Sequence, residues 1–362
     1  MKLGFFTMPI HPPQRDYAET LREDRELAVL ADQLGFIEGF FGEHVTDLAE
    51  NITSSLVFVA WVLEATTNIK LGTGTVNLPS HHPAKLAAEV AMVDHMARGR
   101  FLLGISPGGL LSDAEAFENL DRNRNAMFLE CVNQMIAIWT GESPYNLKGE
   151  FWNVSTERSA IPNLGQGTIV KPFQKPHPPI VVTAVAPFSK GVAAAAARGW
   201  DPISANFLQP QWVKTHWPQY EEGCTVGDRT PDPSNWRVAK SVFVADDDAM
   251  ARRYALSKEG PYYFYYRSLF TKLKAAGRAD LFKTDKDQSD DSLDLDTIVR
   301  QLVICGTPEN VTDQLLAFRD EIGAFGTLLY AGHDWMDRRL AIRSMELMAN
   351  KVMPAVNTAI GE

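Results

Sequence analysis

The sequence contains little cysteine, no long apolar run and no excess of positive charge. Its three cysteines, Cys131, Cys224 and Cys305, are widely spaced and odd in number, a pattern that favours neither a disulfide framework nor a zinc site. No stretch reaches the roughly 20 apolar residues of a transmembrane helix, and the apolar run near the N-terminus is too short for a signal peptide. We therefore expect a cytoplasmic protein that does not associate with membranes.

Acidic residues outnumber basic residues, 45 to 35, which gives a formal net charge of −10 at pH 7. Nucleic acids and anionic membranes attract basic surfaces, so neither is expected as a partner. The sequence also has no P-loop, dinucleotide-binding glycine motif, nucleophile elbow, His-Glu-x-x-His or Cys-x-x-Cys pattern in a suitable context. Kinases, classical dehydrogenases and serine hydrolases therefore lack support, and no metal site is predicted.

Apolar runs alternate with longer helical patterns along most of the chain, which is typical of a parallel β-sheet with connecting helices. Eight runs are predicted as strands, at 3–6, 38–41, 69–72, 101–105, 179–183, 202–205, 238–244 and 327–330. The run Val303–Gly306 is set aside as the weakest candidate. The predicted fold class is α/β, a closed (β/α)8 TIM barrel formed by 1–362 as a single domain, with a doubly wound sheet as the alternative. Insertions are predicted at about 142–178 and 260–295.

The carboxyl ends of the strands form the active-site face of such a barrel, so polar and small residues that follow apolar runs are the candidates for chemistry. His44, after the second run, is the candidate for proton exchange, because imidazole titrates near neutral pH. The alternative for His44 is a structural pairing with a neighbour such as Glu43. The other candidates are Gly74, Thr75, Asn77, His82, Ser106, Gly108, Thr183, Ala184, Val185, Ser189, His333 and Trp335.

Several of these candidates have an ordinary structural alternative. His82 precedes Pro83 at a loop-to-helix junction, and it either lines a substrate pocket or is structural. Trp335 either lines that pocket or packs over the barrel mouth. Ser189 and the backbone around it precede an alanine-rich helix, a position that suits a phosphate group, and capping of the helix by Ser189 is compatible with that role.

Six segments occur in an order that resembles the bacterial luciferase superfamily of flavin-dependent monooxygenases. They are Gly42–His44, Gly72–Val76, Leu78–Pro79, His82–Pro83, Asp94–Phe101 and Leu103–Ser106. Pro107 stands where luciferase itself has an arginine that helps to bind the phosphate, so aldehyde-dependent light emission is not expected. The segments Ser106–Gly109, Glu50–Ile52 and His82–Lys85 resemble the diketocamphane and limonene monooxygenases, which act on cyclic terpenoids.

The resemblance implies a barrel that binds FMN at its mouth. The flavin would arrive as FMNH2 from a separate flavin reductase, and O2 would be the cosubstrate. His44 matches the family's catalytic histidine, Gly74-Thr75 matches a non-prolyl cis peptide under the flavin ring, and Ser106 stands where some members have a cysteine near the reactive carbon of the flavin. The predicted cofactor-binding residues are Gly74, Thr75, Asn77, Ser106, Gly108, Thr183, Ala184, Val185 and Ser189, and the predicted substrate-pocket residues are His82, His333 and Trp335.

The predicted function is a two-component monooxygenase that inserts one oxygen atom of O2 into a small apolar organic molecule. The reaction would be Baeyer–Villiger oxidation of a cyclic ketone or oxygenation of a terpene. The alternatives are an F420-dependent hydride-transfer oxidoreductase of the same fold and a non-catalytic barrel that binds flavin or another ligand. A homodimer is expected, because the resemblance and the need to bury exposed barrel helices both favour it.

Overall fold

The computed structural model of the protein describes residues 1–8, 10–285 and 287–362. The strands in these ranges are β1 (Lys2–Thr7), β2 (Glu38–Phe41), β3 (Lys70–Thr73), β4 (Val76–Asn77), β5 (Phe101–Ser106), β6 (Asn146–Leu147), β7 (Val154–Ser155), β8 (Ile180–Ala184), β9 (Asp201–Ser204), β10 (Arg237–Val244), β11 (Val303–Gly306) and β12 (Thr327–Ala331). All eight runs predicted as strands are strands in the structure, with ends that differ by at most one residue.

Eight strands form a closed parallel barrel in the order β1, β2, β3, β5, β8, β9, β10 and β12. The barrel closes because β12 pairs with β1, with Thr327 opposite Lys2, and β10 pairs with β9, with Arg237 opposite Ile203. A doubly wound sheet would leave two unpaired edges instead. The prediction of a (β/α)8 barrel is therefore confirmed.

Two of the remaining strands extend the barrel sheet at its carboxyl end. The second half of β10 runs beyond β12 and pairs with β11, with Ser241 opposite Val303. The weakest strand candidate is thus a strand, and it lies outside the eight that close the barrel. The short strand β4 pairs with the end of β5 and brings Asn77 opposite Ser106.

Helices connect the strands and cover the outside of the barrel. They are α1 (Tyr17–Gln33), α2 (Ser55–Leu63), α3 (Pro83–Ala97), α4 (Leu111–Ala116), α5 (Arg124–Thr140), α6 (Lys190–Ala196), α7 (Pro210–Val213), α8 (His216–Val226), α9 (Asp248–Ala255), α10 (Pro261–Ala275), α11 (Leu295–Leu302), α12 (Pro308–Ile322), α13 (Arg338–Leu347) and α14 (Met353–Ile360). Side-chain oxygens of Asp16, Ser54 and Asn123 accept hydrogen bonds from the first turns of α1, α2 and α5, which fixes where these helices begin. Within the described ranges, no helix is long and apolar enough to cross a membrane.

The two predicted insertions contain the hairpin β6–β7 and the helix α10. Three aromatic residues of α10 are buried: Tyr262, Tyr265 and Tyr266. Hydroxyl groups fix two of them to β10, because Tyr262 donates to the carbonyl of Val242 at 2.7 Å and Tyr266 donates to Ser241 at 2.9 Å. These bonds hold α10 over the carboxyl end of the barrel.

The inside of the barrel is filled by one side chain from most strands: Phe6, Phe40, Leu102, Val181, Ile203, Ala239 and Leu329. Where β3 approaches β5, only glycine fits. A Cβ atom on Gly104 would lie 1.9 Å from the carbonyl oxygen of Thr73. The Thr73 hydroxyl donates to the Gly104 carbonyl at 2.7 Å and accepts from the Gly104 N–H at 2.9 Å. Two hydrogen bonds thus join β3 to β5 at the position where glycine has no side chain.

A buried ionic cluster joins the loop after β1, helix α1 and the loop after β12. His11 lies between two carboxylates, with Nδ1 2.7 Å from Asp334 and Nε2 3.1 Å from Asp24. Arg15 bridges Asp334 and Glu23. Burial lowers the pKa of His11, but the two carboxylates outweigh it and raise that pKa to about 10. His11 is therefore an imidazolium at neutral pH, and the cluster is an ion-pair network that ties three segments together.

Candidate functional site

A cavity of about 900 Å³ opens at the carboxyl ends of the barrel strands. Its size is in the range of cofactor and substrate sites. Nine of the predicted site residues line it: His44, Gly74, Thr75, Asn77, Ser106, Gly108, Thr183, Val185 and Ser189. The strand-end rule of parallel barrels therefore places nine of the thirteen predicted site residues at this cavity.

His44 is held between two carboxylates. Its Nδ1 lies 2.8 Å from Asp113, and its Nε2 lies 3.5 Å from Glu50. Asp113 is fixed in turn by Thr46, whose N–H and hydroxyl both donate to it. Burial lowers the pKa of His44, but Glu50 and Asp113 outweigh burial, so the pKa lies above its ordinary value. The imidazole is thus oriented at Nδ1 and biased towards its proton-donating form.

Glu43 supports the site without pairing with His44. Its carboxylate accepts hydrogen bonds from the N–H and hydroxyl of Ser55, at 2.8 and 2.7 Å, and from the N–H of Asn77 at 3.1 Å. Burial raises the pKa of Glu43, yet hydrogen bonds from His81 and Ser55 hold it below its usual value. The Glu43 carboxylate therefore joins the loop after β2 to α2 and β4, and the partner of His44 is Asp113, not Glu43.

A row of small polar residues forms part of the cavity wall. The hydroxyl of Thr75 donates to Ser106 at 2.8 Å, Ser106 donates to the side-chain carbonyl of Asn77 at 2.9 Å, and the N–H of Gly108 donates to Ser106 at 3.1 Å. The Gly74–Thr75 peptide is cis, at the position that the family resemblance implies. A Cβ atom on Gly74 would lie 2.9 Å from Phe40, so backbone alone occupies this place. This part of the cavity wall therefore has ordered hydroxyl and amide groups and no bulky side chain, which suits a flat polar ring.

Two arginines, Arg198 and Arg278, also line the cavity. Neither Arg198 nor Arg278 has a carboxylate partner among the ion pairs of residues 1–8, 10–285 and 287–362. Arg198 lies over the ring of Trp200, 4.4 Å from its centroid, and burial lowers its pKa. Arg278 is half-buried and Arg198 is exposed, and guanidinium groups without a carboxylate partner are suited to an anion such as phosphate. Sequence reasoning missed both, because neither follows a strand.

The rest of the lining is largely apolar. Phe128 and Leu129 of α5, Phe207 after β9, and Leu269 and Leu273 of α10 face the cavity. These side chains come from the helices and loops above the strand ends. They give the cavity a surface that favours an apolar molecule.

Four predicted residues lie outside the lining, which corrects the sequence-based picture. Ala184 is buried in β8 opposite Ser204. His82 is exposed, and its ring accepts the first N–H of α3 as a helix cap.

His333 and Trp335 follow β12 as predicted, but α10 covers that strand end. His333 packs against the rings of Tyr262 and Tyr265 and pairs with Ser241 at 3.0 Å. Burial lowers the pKa of His333 to about 3, so it is neutral. Trp335 is part of the hydrophobic core. The expectation that these two residues and His82 line the substrate pocket does not match this cavity.

Comparison with known proteins agrees with the geometry. The model of the family described as luciferase-like monooxygenase matches residues 1–324. The 4-hydroxyprotoasukamycin monooxygenase of Streptomyces nodosus subsp. asukaensis is 31% identical over 375 aligned residues, covering 99% of this chain and 93% of that protein. Limonene 1,2-monooxygenase of Rhodococcus erythropolis is 28% identical, covering 99% and 87%.

A solved structure is similar over the whole fold. The oxygenating constituent of 3,6-diketocamphane monooxygenase from Pseudomonas putida, a type II Baeyer–Villiger monooxygenase in complex with FMN, superposes with a TM-score of 0.87 at 29% identity and covers 98% of each chain. These similarities confirm the resemblance drawn from the sequence motifs.

Proposed function

The chain belongs to the luciferase-like monooxygenases and is a flavin-dependent monooxygenase, and on that premise we propose that it is the oxygenase component of a two-component system. When bound in the cavity, FMNH2 from a separate reductase supplies the electrons with which one atom of O2 enters the substrate and the other leaves as water. The observation that carries the proposal is a histidine supported by a carboxylate, in a cavity lined on one part by small polar residues and on another by apolar side chains.

The residues of the cavity fit FMN at both of its ends. Thr75, Asn77 and Ser106 would face the polar edge of the flavin ring. Arg198 and Arg278 would hold the phosphate, with Ser189 as a hydroxyl donor, because they bring positive charge to the cavity without a carboxylate partner in the described ranges. This assignment keeps the phosphate turn implied by the resemblance and adds two cations to it.

His44 is the proposed catalytic residue. Its Nδ1 is occupied by Asp113, so Nε2 is the atom that would donate a hydrogen bond or a proton to the oxygen that is transferred. An oriented imidazole whose pKa lies above its ordinary value suits this task near neutral pH. The apolar wall would exclude water from the reacting atoms.

The substrate proposed is a small, largely apolar organic molecule, either a cyclic ketone that undergoes Baeyer–Villiger oxidation or a terpene that is oxygenated. The apolar side chains of α5 and α10 support this class, and the related proteins that act on diketocamphane and limonene support it by name.

Substitution of His44 tests the catalytic proposal. His44→Ala should keep oxidising FMNH2 while product per flavin oxidised falls by about 100-fold, the usual contribution of a positioned acid or base, and H2O2 should replace the missing product. His95→Ala is the control, because His95 lies exposed on α3 away from the cavity. Full product yield in His44→Ala would refute the role.

Ligand titration tests the cofactor assignment and the F420 alternative. Arg278→Met and Arg198→Met should each weaken FMN binding by roughly tenfold to 100-fold, the effect of losing a charge-assisted hydrogen bond, while riboflavin, which has no phosphate, should bind the variants as it binds the parent protein. Tight binding of F420 with none of FMN would overturn the proposal in favour of hydride transfer.

We also propose a homodimer that forms through α2 and α3. Four apolar side chains on these neighbouring helices are exposed, at spacings of four residues: Val57, Trp61, Met92 and Met96. A second copy of this face would bury them. Sedimentation velocity should show a dimer for the parent protein and a monomer for Val57→Glu/Met92→Lys, and a monomeric parent protein would contradict the proposal. The cytoplasm is the proposed location, because all three cysteines are free and buried.

A further inference from the structure

Glu50 is a buried carboxylate with one satisfied and one unsatisfied oxygen. Only 2% of the residue is exposed, and it lines the cavity. Its Oε1 accepts a hydrogen bond from Lys272 at 2.7 Å. Its Oε2 has no hydrogen-bond partner among the described residues, although Nε2 of His44 is only 3.5 Å away. A buried unpaired carboxylate oxygen is costly, so something must hold it in this place.

Lys272 provides that restraint from a distant part of the chain. It lies on α10, which is anchored over the barrel by its buried tyrosines. The ammonium group bridges Glu50 and Asp47, both of which belong to the loop that also carries His44. The helix that covers the cavity and the loop of the catalytic histidine are thus joined by one cation with two carboxylate partners.

The charges that face His44 come from three elements. Asp113 approaches from α4, Glu50 from the loop after β2, and Lys272 stands behind Glu50 on α10. Asp47 lies on the far side of Lys272. The carboxylates attract a proton to His44, and Lys272 is the cation in this set that opposes it.

We propose that Lys272 is a positioning residue, which holds Glu50 through Oε1 so that Oε2 does not close onto Nε2 of His44. Without this restraint Oε2 would move the short distance to Nε2. Both ring nitrogens of His44 would then be bound by protein carboxylates, and neither would be available to an oxygen atom in the cavity. The catalytic consequence rests on the proposed function, whereas the restraint is a property of the protein without flavin.

The restraint is tested first by NMR titration of the histidine ring nitrogens in flavin-free protein, with the His44 signals identified from their loss in His44→Gln. Lys272→Met should raise the pKa of His44, because a nearby cation is removed and Glu50 is released. Glu50→Gln should lower it, because a nearby carboxylate is removed. Lys272→Arg keeps the cation and should restore the parent value. Lys274→Met is the matched control, because Lys274 lies exposed two residues further along the same helix.

The second measurement is product formed per flavin oxidised with a cyclic ketone. Lys272→Met should lose roughly tenfold to 100-fold, as expected for a misplaced catalytic group, and Lys272→Arg should recover most of it. An unchanged pKa of His44 in Lys272→Met would overturn the restraint. A raised pKa with unchanged product yield would overturn the positioning role. If the parent protein makes no product from any substrate, the proposed function fails, and the NMR titration still decides whether Lys272 restrains Glu50.

Discussion

The buried cluster around His11 makes stability depend on alkaline pH in a predictable direction. The pKa of His11 is raised from 6.5 to about 10 by Asp24 and Asp334, so its stabilisation is fully present below pH 6.5 and is lost as the pH rises towards 10. At 1.36 kcal/mol per pH unit, this difference corresponds to about 5 kcal/mol in total and about 3 kcal/mol between pH 7 and pH 9.5.

The assay is urea denaturation of the parent protein and of His11→Gln, each at pH 7 and pH 9.5. Glutamine keeps a hydrogen-bond donor but carries no charge, so at pH 7 the variant should lose about 3–5 kcal/mol of the free energy of unfolding, because the carboxylates are left facing one another. At pH 9.5 the two proteins should differ by much less. Other groups that titrate in this range are common to both proteins and cancel in the comparison. Equal changes of the free energy of unfolding with pH in the two proteins would refute the reasoning.

Two further predictions concern the barrel wall. Lys240 is almost fully buried with its ammonium 4.8 Å from the ring centroid of Phe318, and burial lowers its pKa to about 8; Lys240→Met should therefore raise the free energy of unfolding by about 3 kcal/mol at pH 6 and by little above pH 10.5, and a destabilised variant at pH 6 would contradict this. Gly104→Ala should lower the free energy of unfolding by more than about 3 kcal/mol or prevent folding, because its Cβ would overlap the Thr73 carbonyl. The control Gly109→Ala, whose Cβ would meet nothing within 4 Å, should hardly change the midpoint of thermal unfolding. Similar midpoints for the two variants would count against the clash.

The fold and the strand-end half of the site could be predicted from the sequence, because both depend on local patterns. Buried parallel strands leave continuous apolar runs, and in a barrel the residues after those runs must meet at one end. This is why His44, Ser106 and the Gly74–Thr75 peptide were found. One cofactor residue, Ala184, was misplaced because it still lies within its strand and is turned into the wall.

The groups that support His44 could not be found in this way. Asp113 lies in a short helix and Lys272 in an insertion, and no sequence pattern at either position indicates which residue it contacts. Asp113 contacts His44 across 69 residues, and Lys272 contacts Glu50 across 222 residues, and both contacts form only through tertiary packing. A polar residue in the first turn of the helix after the fourth barrel strand was the one available signal for Asp113. The prediction for His333 does not match the cavity for a different reason. His333 follows a barrel strand, as the strand-end rule requires, but α10 fills the space above the end of that strand.

The division of the cavity between strand ends and α10 has a consequence for how new specificities could arise. The polar groups assigned to the cofactor belong largely to the barrel strands and the turns that follow them, whereas α10 contributes Leu269 and Leu273 from an insertion. Exchange of α10 alone, Pro261–Ala275, with the helix of a relative would therefore alter the range of molecules accepted, while Arg278 and the other residues assigned to the flavin would stay in place. The exchange has one condition: position 272 must keep a cation, since the same helix that shapes the pocket also holds Glu50 away from the histidine.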